Sequence, residues 1–366
     1  KDTMLMSQPI PDFFDGEWYL RSNPDVAAAR ADPLAHFNRF GRFEGRMPCA
    51  VRAAALERAV WAGLKPVKAL QDLLQDESPA EQSWAGFALA RISAATGDWT
   101  AAKALLASPR QTQALLSGFG LLSPALMLIE AAERAGDMAG AHRLLGWATA
   151  RFGSPPELQL MTANLRLGDA SAWALAVKPV FADARLILPQ VLGPTTTEQT
   201  RFDQLYTKPR RGWPYWGRRP LVSVVVPMFN AADSLGTSVR SILAQSWPEL
   251  EILLVENAST DATLGIAQAL ATDDPRIRIL EASADPGAYA ARNIGMAAAR
   301  GDFVTVQDAD DWAHPQKIER QLRALLRRPN AAASISHWVR ATPDLRFTNT
   351  RADVGLVHRN MSSLMT

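Results

Sequence analysis

The sequence predicts an α/β domain with a mainly parallel sheet and helices on both faces, preceded by an all-α, repeat-like helical domain. Two patterns lead there. After residue 221, short β-branched runs alternate with amphipathic helical stretches, the order that parallel strands joined by crossover helices require. Between Ala50 and about Phe181 the chain is rich in Ala and Leu, and Gly-Asp recurs at Gly97-Asp98, Gly136-Asp137 and Gly168-Asp169, spaced 39 and then 32 residues apart. A Gly-Asp turn between two helices, repeated at about 34 residues, is what a tetratricopeptide-like stack needs; an irregular helical bundle fits equally well.

Composition narrows the class. The 366 residues are 48% hydrophobic and 21% charged, an ordinary globular balance. Lys plus Arg number 39 against 37 acidic residues, for a net charge of +2, which argues against a nucleic-acid partner. The single cysteine, Cys49, excludes an internal disulfide framework and a Cys-based zinc site and fits a reducing cytoplasm. The apolar run near residues 121–129 is shorter than the ~18 residues that cross a bilayer, so no transmembrane segment is expected. The chain opens at Lys1 with no long apolar run behind it, which reads as a fragment edge and not as a signal peptide. The expected location is cytoplasmic, with peripheral association to the inner membrane compatible with the composition.

Four segments follow: an aromatic-rich module over 1–50, a helical domain over 51–190, a basic Pro-rich linker over 191–220, and the α/β domain over 221–366. The first reads as two short helices with packed aromatic faces and with Gly41 and Gly45 as turn residues. His36 reads as a packing residue, since no second His lies near it. The motifs from Phe14-Asp15 through Asn23-Pro24-Asp25-Val26 to Glu44-Gly45-Arg46 resemble a short module of bacterial cell-surface glycan enzymes. In the linker, cations and aromatics alternate from Lys208 to Pro220, a pattern that suits a stiff surface linker better than a membrane or glycan contact.

Within the α/β domain, residues 221–227 form a β-branched run suited to a strand buried on both faces. Leu235, Val239, Ile242 and Leu243 make a helical stripe. Residues 251–255 are a second strand, and Ser259-Thr260-Asp261 offers N-cap chemistry for the helix carrying Leu264 and Leu270. Strands at 277–280 and 303–306 flank a helix over 289–300, stopped by Gly301. A helix after Pro315 buries Ile318, Leu322, Leu325 and Leu326, and 332–338 is a fifth strand. His314 reads as a cap of that helix.

Ligands of such sheets bind at the carboxyl ends of the strands. Three strand ends are polar here: Pro227-Met228-Phe229-Asn230, Glu256-Asn257-Ala258-Ser259-Thr260-Asp261 and Asp308-Ala309-Asp310-Asp311. Asp308 and Asp310 stand two apart, so an extended chain would point both carboxylates one way. Paired hard oxygens of this kind suit Mg²⁺ or Mn²⁺ bridging to a diphosphate. No phosphate-loop motif is present, and Gly118-Phe119-Gly120 follows no strand and is no dinucleotide fingerprint.

From Pro220 to Thr366 the chain resembles an inverting family 2 glycosyltransferase of the GT-A fold. The resemblance rests on Val222 to Asn230, Glu256 to Asp261, Ala291-Arg292-Asn293-Ile294-Gly295, and Asp308 to Trp312, in that order. It implies a nucleotide-sugar donor held by Pro227, Phe229, Asn230, Glu256, Asn257, Arg292, Asp308 and Ala309, with Phe229 stacking on the base and Arg292 pairing with the diphosphate. Asn257 stands where the family usually has an Asp reading the base edge. It also implies Mn²⁺ or Mg²⁺ on Asp308 and Asp310, and a glycan or lipid-linked acceptor in bacterial surface polysaccharide synthesis. The family's general base is expected after Thr366, so no catalytic residue is assigned within the chain. The competing reading is a nucleotide-sugar-binding module without catalysis on a helical scaffold that would take a protein partner.

Overall fold

The structure is a computed structural model, and it describes residues 11–193, 199–207, 215, 217–282, 287–348 and 356–366. Most of the cation–aromatic stretch of the linker therefore lies outside the described residues. The chain divides into two compact units. One comprises Lys1–Val180, Val339–Thr342 and Arg346–Val357, and the other Phe181–Trp338, Pro343–Leu345 and His358–Thr366.

In the helical unit the aromatic opening folds as three short helices, Gly16–Ser22, Pro24–Ala28 and Pro33–His36, followed by a wide turn of π-helix over Phe37–Gly41. This differs from the two helices expected. Tyr19 and Phe37 are fully buried and meet edge to face, with ring centroids 5.7 Å apart. Gly41 is helical and not a turn: a Cβ there would strike the Tyr19 hydroxyl, so glycine lets the two segments close on each other. Gly45, at φ 72°, is the left-handed residue that ends the module. The His36 ring meets the Tyr19 hydroxyl at 3.0 Å, a packing role as expected.

The helices that flank the Gly-Asp turns are α1 (Pro79–Ala95), α2 (Trp99–Leu105), α3 (Leu122–Arg134), α4 (Met138–Phe152), α5 (Pro156–Asn164) and α6 (Ala170–Asp183). The Gly-Asp turns join α1 to α2, α3 to α4 and α5 to α6. Gly97 and Gly136 are left-handed, at φ 85° and 82°. Asp98, Asp137 and Asp169 then accept N–H groups of the next helix, at Ala101, Gly140 and Ala172, at 2.9, 2.8 and 3.0 Å. One residue frees the backbone to reverse and the next satisfies the helix start that the reversal exposes.

The second unit holds a six-stranded sheet: β1 (Val222–Met228), β2 (Leu250–Glu256), β3 (Ile277–Glu281), β4 (Phe303–Val306), β5 (Ser334–Trp338) and β6 (His358–Met365), in the order β3-β2-β1-β4-β6-β5. The β1–β2, β2–β3 and β1–β4 pairs are parallel. β6 pairs antiparallel with both β4 and β5, so the fifth strand expected from the sequence sits at the far edge, one strand removed from β4.

Helices α7 (Leu235–Leu243), α8 (Thr263–Asp273), α9 (Ala288–Ala298) and α10 (Lys317–Leu326) cover the sheet. Val224, Val226, Ile252 and Leu254 pack with Val239, Ile242, Ala267, Ile318 and Leu322 on one face. Val225, Leu253 and Val255 pack with Ala291 of α9 on the other. The alternation along β1 and β2 explains why both strands read as unbroken apolar runs. α9 ends at Ala298 with Ala299 as its cap, so Gly301 is not its stop. Gly301 instead lies where a Cβ would crowd the Ser223 backbone nitrogen, at 2.7 Å.

Gly295 sets how closely α9 approaches the sheet. A Cβ there would collide with Val225 and come within 3.1 Å of Val255. Gly295→Ala is therefore expected to destabilise the chain by about 1–3 kcal/mol in urea unfolding. Gly146→Ala, in open space within α4, is expected to stabilise it by about 0.5–1 kcal/mol. Equal responses would mean that α9 does not rest on β1.

Candidate active site

Parallel pairing of β1 with β2 and β4 carries three chain segments to one rim. β4 pairs with β1 only as far as Val225↔Val306, whereas β2 follows β1 to Met228↔Glu256. Beyond Val306 the fourth strand leaves the sheet, and Pro227, with no N–H to offer, lies past that pairing.

The loops after β1 and β2 are stitched together. Asn230 is left-handed at φ 47°, a conformation Asn tolerates. Its Oδ1 accepts the Thr260 N–H at 2.8 Å, and its own N–H donates to Ser259 Oγ at 3.1 Å. Asp261 accepts from the Thr263 N–H at 3.0 Å and hydroxyl at 2.5 Å, and from the Ala232 N–H at 3.1 Å. The Thr263 hydroxyl bond leads in holding the Asp261 carboxyl below the usual carboxylate range. Asn230 and Asp261 thus build the rim. α8 begins at Thr263 with Ala262 at its N-cap, so Ser259-Thr260-Asp261 joins the two loops instead of capping the helix directly.

Phe229 is 57% exposed at the tip of β1. A large ring left in water at a strand end is available to stack on a planar ligand. Glu256 is 7% exposed: its Oε1 accepts the Ser259 N–H at 2.5 Å, and its buried Oε2 has no hydrogen-bond partner. Asn257 uses its Oδ1 to accept the Gly287 N–H at 3.2 Å, tying the β2 end to the start of α9.

The acidic segment departs from the extended geometry expected of it. β4 stops at Val306, and the Asp311 N–H donates to the Asp308 carbonyl at 3.1 Å, closing a turn. Within it Ala309 is buried in the core, so the turn can offer a ligand only its backbone there, while Asp310 is exposed. Arg292, from α9, donates to Asp308 Oδ1 at 2.6 Å, and the Arg292 Nε is buried with no partner. The pair joins two of the motifs and occupies one oxygen of Asp308.

Several residues that the sequence reading passed over position this turn. The Gln307 amide donates to Ser238 Oγ at 3.1 Å, Ser241 Oγ at 3.3 Å and the Asp311 carbonyl at 3.2 Å. The Ser238 hydroxyl donates to the Asp308 carbonyl at 3.1 Å, and Ser241 Oγ accepts the Ala313 N–H at 2.9 Å. The only sequence trace is two serines on the apolar stripe of α7. Lys317, in the first turn of α10, is pushed down to about 8 by burial, while the Asp311 and Asp308 carboxylates pull it up. His314 Nδ1 accepts the Gln316 N–H at 3.2 Å, which places the ring proton on Nε2, donated to the Ile187 carbonyl at 2.9 Å. Gln316, and not His314, is the N-cap of α10, so His314 braces the approach to the helix without the cap role expected of it.

Residues 223–360 match the description Glycosyl transferase family 2. The second unit carries a family 2 glycosyltransferase domain. An uncharacterized glycosyltransferase of Haemophilus influenzae is 36% identical over 107 residues, 29% of this chain and 43% of that protein. A Bacillus subtilis protein named for teichuronic acid biosynthesis, TuaG, is 38% identical over 110 residues, 30% of this chain and 44% of its own length. The succinoglycan biosynthesis protein ExoO of Rhizobium meliloti is 36% identical over 103 residues, 28% of this chain and 29% of that protein. The match spans less than half the length of each relative. Among the described residues, no helix is long and apolar enough to cross a membrane.

Replacing Ser241 by Ala leaves the Ala313 N–H without its acceptor and Gln307 with one fewer. A loss of about 1–3 kcal/mol is expected, with faster amide exchange at residues 307–313 and unchanged exchange in β2. Unchanged protection of that loop would contradict the role given to α7.

Proposed function

We propose that this chain transfers a sugar from a nucleotide-sugar donor to a glycan or lipid-linked acceptor, with inversion, in the synthesis of a bacterial surface polysaccharide. The observation that carries the reading is the single rim on which Phe229, Glu256, the Arg292–Asp308 pair and Asp310 stand, inside the segment that matches family 2. The names of TuaG and ExoO support the polysaccharide setting.

The chemistry follows from charge. Phe229, exposed at the tip of β1, stacks on the base, and Glu256 at the end of β2 accepts from the nucleoside. Arg292 keeps one group on Asp308 and stays partly exposed, so it can pair with the diphosphate while keeping the acidic turn oriented.

The donor set also fits a hard divalent cation. Asp310 is exposed and one oxygen of Asp308 remains beyond the Arg292 bond, whereas no group of three His, Cys, Asp or Glu gathers among the described residues. Two carboxylates with the remaining positions left to phosphate oxygens and water is the Mg²⁺ or Mn²⁺ pattern. Bound there, the ion supplies positive charge to the departing nucleoside diphosphate. Residues of the rim fix the donor so that the acceptor hydroxyl approaches the anomeric carbon opposite the leaving group, and the hydroxyl proton passes to a base as the new bond forms.

A thermal-shift titration with Mn²⁺ and a panel of nucleotide sugars tests the reading. At a hundredfold excess over Kd, binding adds about 2.7 kcal/mol, or roughly 5 °C in Tm. The shift is expected to need the metal and to vanish in Asp310→Ala. Sugar transfer to a glycan acceptor, followed with labelled donor, separates an enzyme from a binding module. A metal-independent shift that survives Asp310→Ala would overturn the assignment of the rim.

A further inference from the structure

The helical unit binds a piece of extended chain in a way that ordinary core packing does not require. Residues 340–342 and 346–348 form two antiparallel arms: the Thr342 N–H donates to the Arg346 carbonyl at 2.9 Å, and the Thr348 N–H to the Arg340 carbonyl at 3.2 Å. Phe347 faces Ala341 between these bonds, so its own N–H and C=O point away from the partner arm. An extended segment with an open edge normally needs another strand there.

Asn164, the last residue of α5 and 3% exposed, takes that place. Its amide donates to the Phe347 carbonyl at 2.7 Å, and its Oδ1 accepts the Phe347 N–H at 2.8 Å. One carboxamide thereby stands in for a peptide group of a neighbouring strand. The side chains on either side are also engaged. The Phe347 ring stacks on Trp173 of α6, with centroids 5.9 Å apart and planes 23° apart. The Thr348 hydroxyl donates to Glu130 Oε1 at 2.6 Å, and Arg346 pairs with Glu133, both acids on α3. Burial pushes the Glu130 carboxyl up to about 7, so the Thr348 hydroxyl meets a group that is costly to leave without a donor.

Backbone hydrogen bonds that hold any extended chain, combined with pockets that select its side chains, are the physics of strand-type peptide recognition. We propose that α3, α5 and α6 form a peptide-recognition groove whose ligand is the chain's own Arg346-Phe347-Thr348, carried on the connection between β5 and β6. The groove is independent of donor binding, so either proposal can fail alone.

The test uses the full chain. Phe347→Pro removes both the N–H and the ring and is expected to vacate the groove while circular dichroism keeps its helical signal. A fluorescent, capped peptide of residues 342–348 should then bind this variant at least tenfold more tightly than the wild-type chain, whose groove is filled. Adding Asn164→Ala should weaken that binding at least tenfold. A helical Phe347→Pro chain that binds the peptide no better than wild type would overturn the proposal. If Phe347→Pro does not fold, amide exchange of the otherwise wild-type chain decides: Asn164→Ala should raise exchange at 340–348 at least tenfold, and unchanged protection there would overturn the proposal.

Discussion

The site depends on the register of β1. Its residues from Val222 to Val226 are buried, and a buried backbone must find partners on both sides. β2 supplies them on one side from Val222↔Leu250, and β4 on the other from Val222↔Phe303. Because all three strands run in one direction, their carboxyl ends fall at the same end of the sheet. The length difference between β2 and β4 then leaves one side of β1 open beyond Val225. The acidic turn, the Phe229 ring and the Glu256 carboxylate are where they are because this pairing admits no slip: a shift of one residue would turn Val225 and Val224 to the wrong helices.

Around that frame the loops are fixed by polar groups that serve structure and chemistry together. Asn230 and Asp261 spend their oxygens on N–H groups of neighbouring loops, so they organise the rim from which the Phe229 ring stands exposed. Asp308 is shared: one oxygen holds Arg292, and its carbonyl is held by Asp311 and Ser238. A preorganised charge pair of this kind loses little on binding an anion, because its orientation is already set before the ligand arrives.

The sequence made the central strands legible because β-branched runs between helical stripes have few other solutions, and 303–306 was read to the residue. The site was legible as a set of polar strand ends. Its internal wiring was not. The turn at Asp308 replaces an extended segment because Ala309 is drawn into the core, a long-range effect that no local spacing reports. The hydroxyls of Ser238 and Ser241 read as interruptions of an apolar stripe until Gln307 lies against them. β6 escaped because His358 to Met365 alternates only weakly, with the polar Ser363 buried as fully as Met365. The grip of Asn164 on Phe347 joins residues 183 apart, beyond the reach of any window.

In the two proposals the units carry different kinds of recognition: strand ends that present charge and a flat ring, and helices that read an extended backbone. In the proposed reading the carboxylates of Asp308 and Asp310 gather a divalent ion against a nucleoside diphosphate. Anomalous diffraction from crystals grown with Mn²⁺ and a nucleoside diphosphate measures it directly. The account predicts a manganese peak about 2.1 Å from an Asp310 oxygen, with phosphate oxygens completing its shell. A nucleotide bound on this rim with no manganese at Asp310, or manganese bound elsewhere, would contradict it.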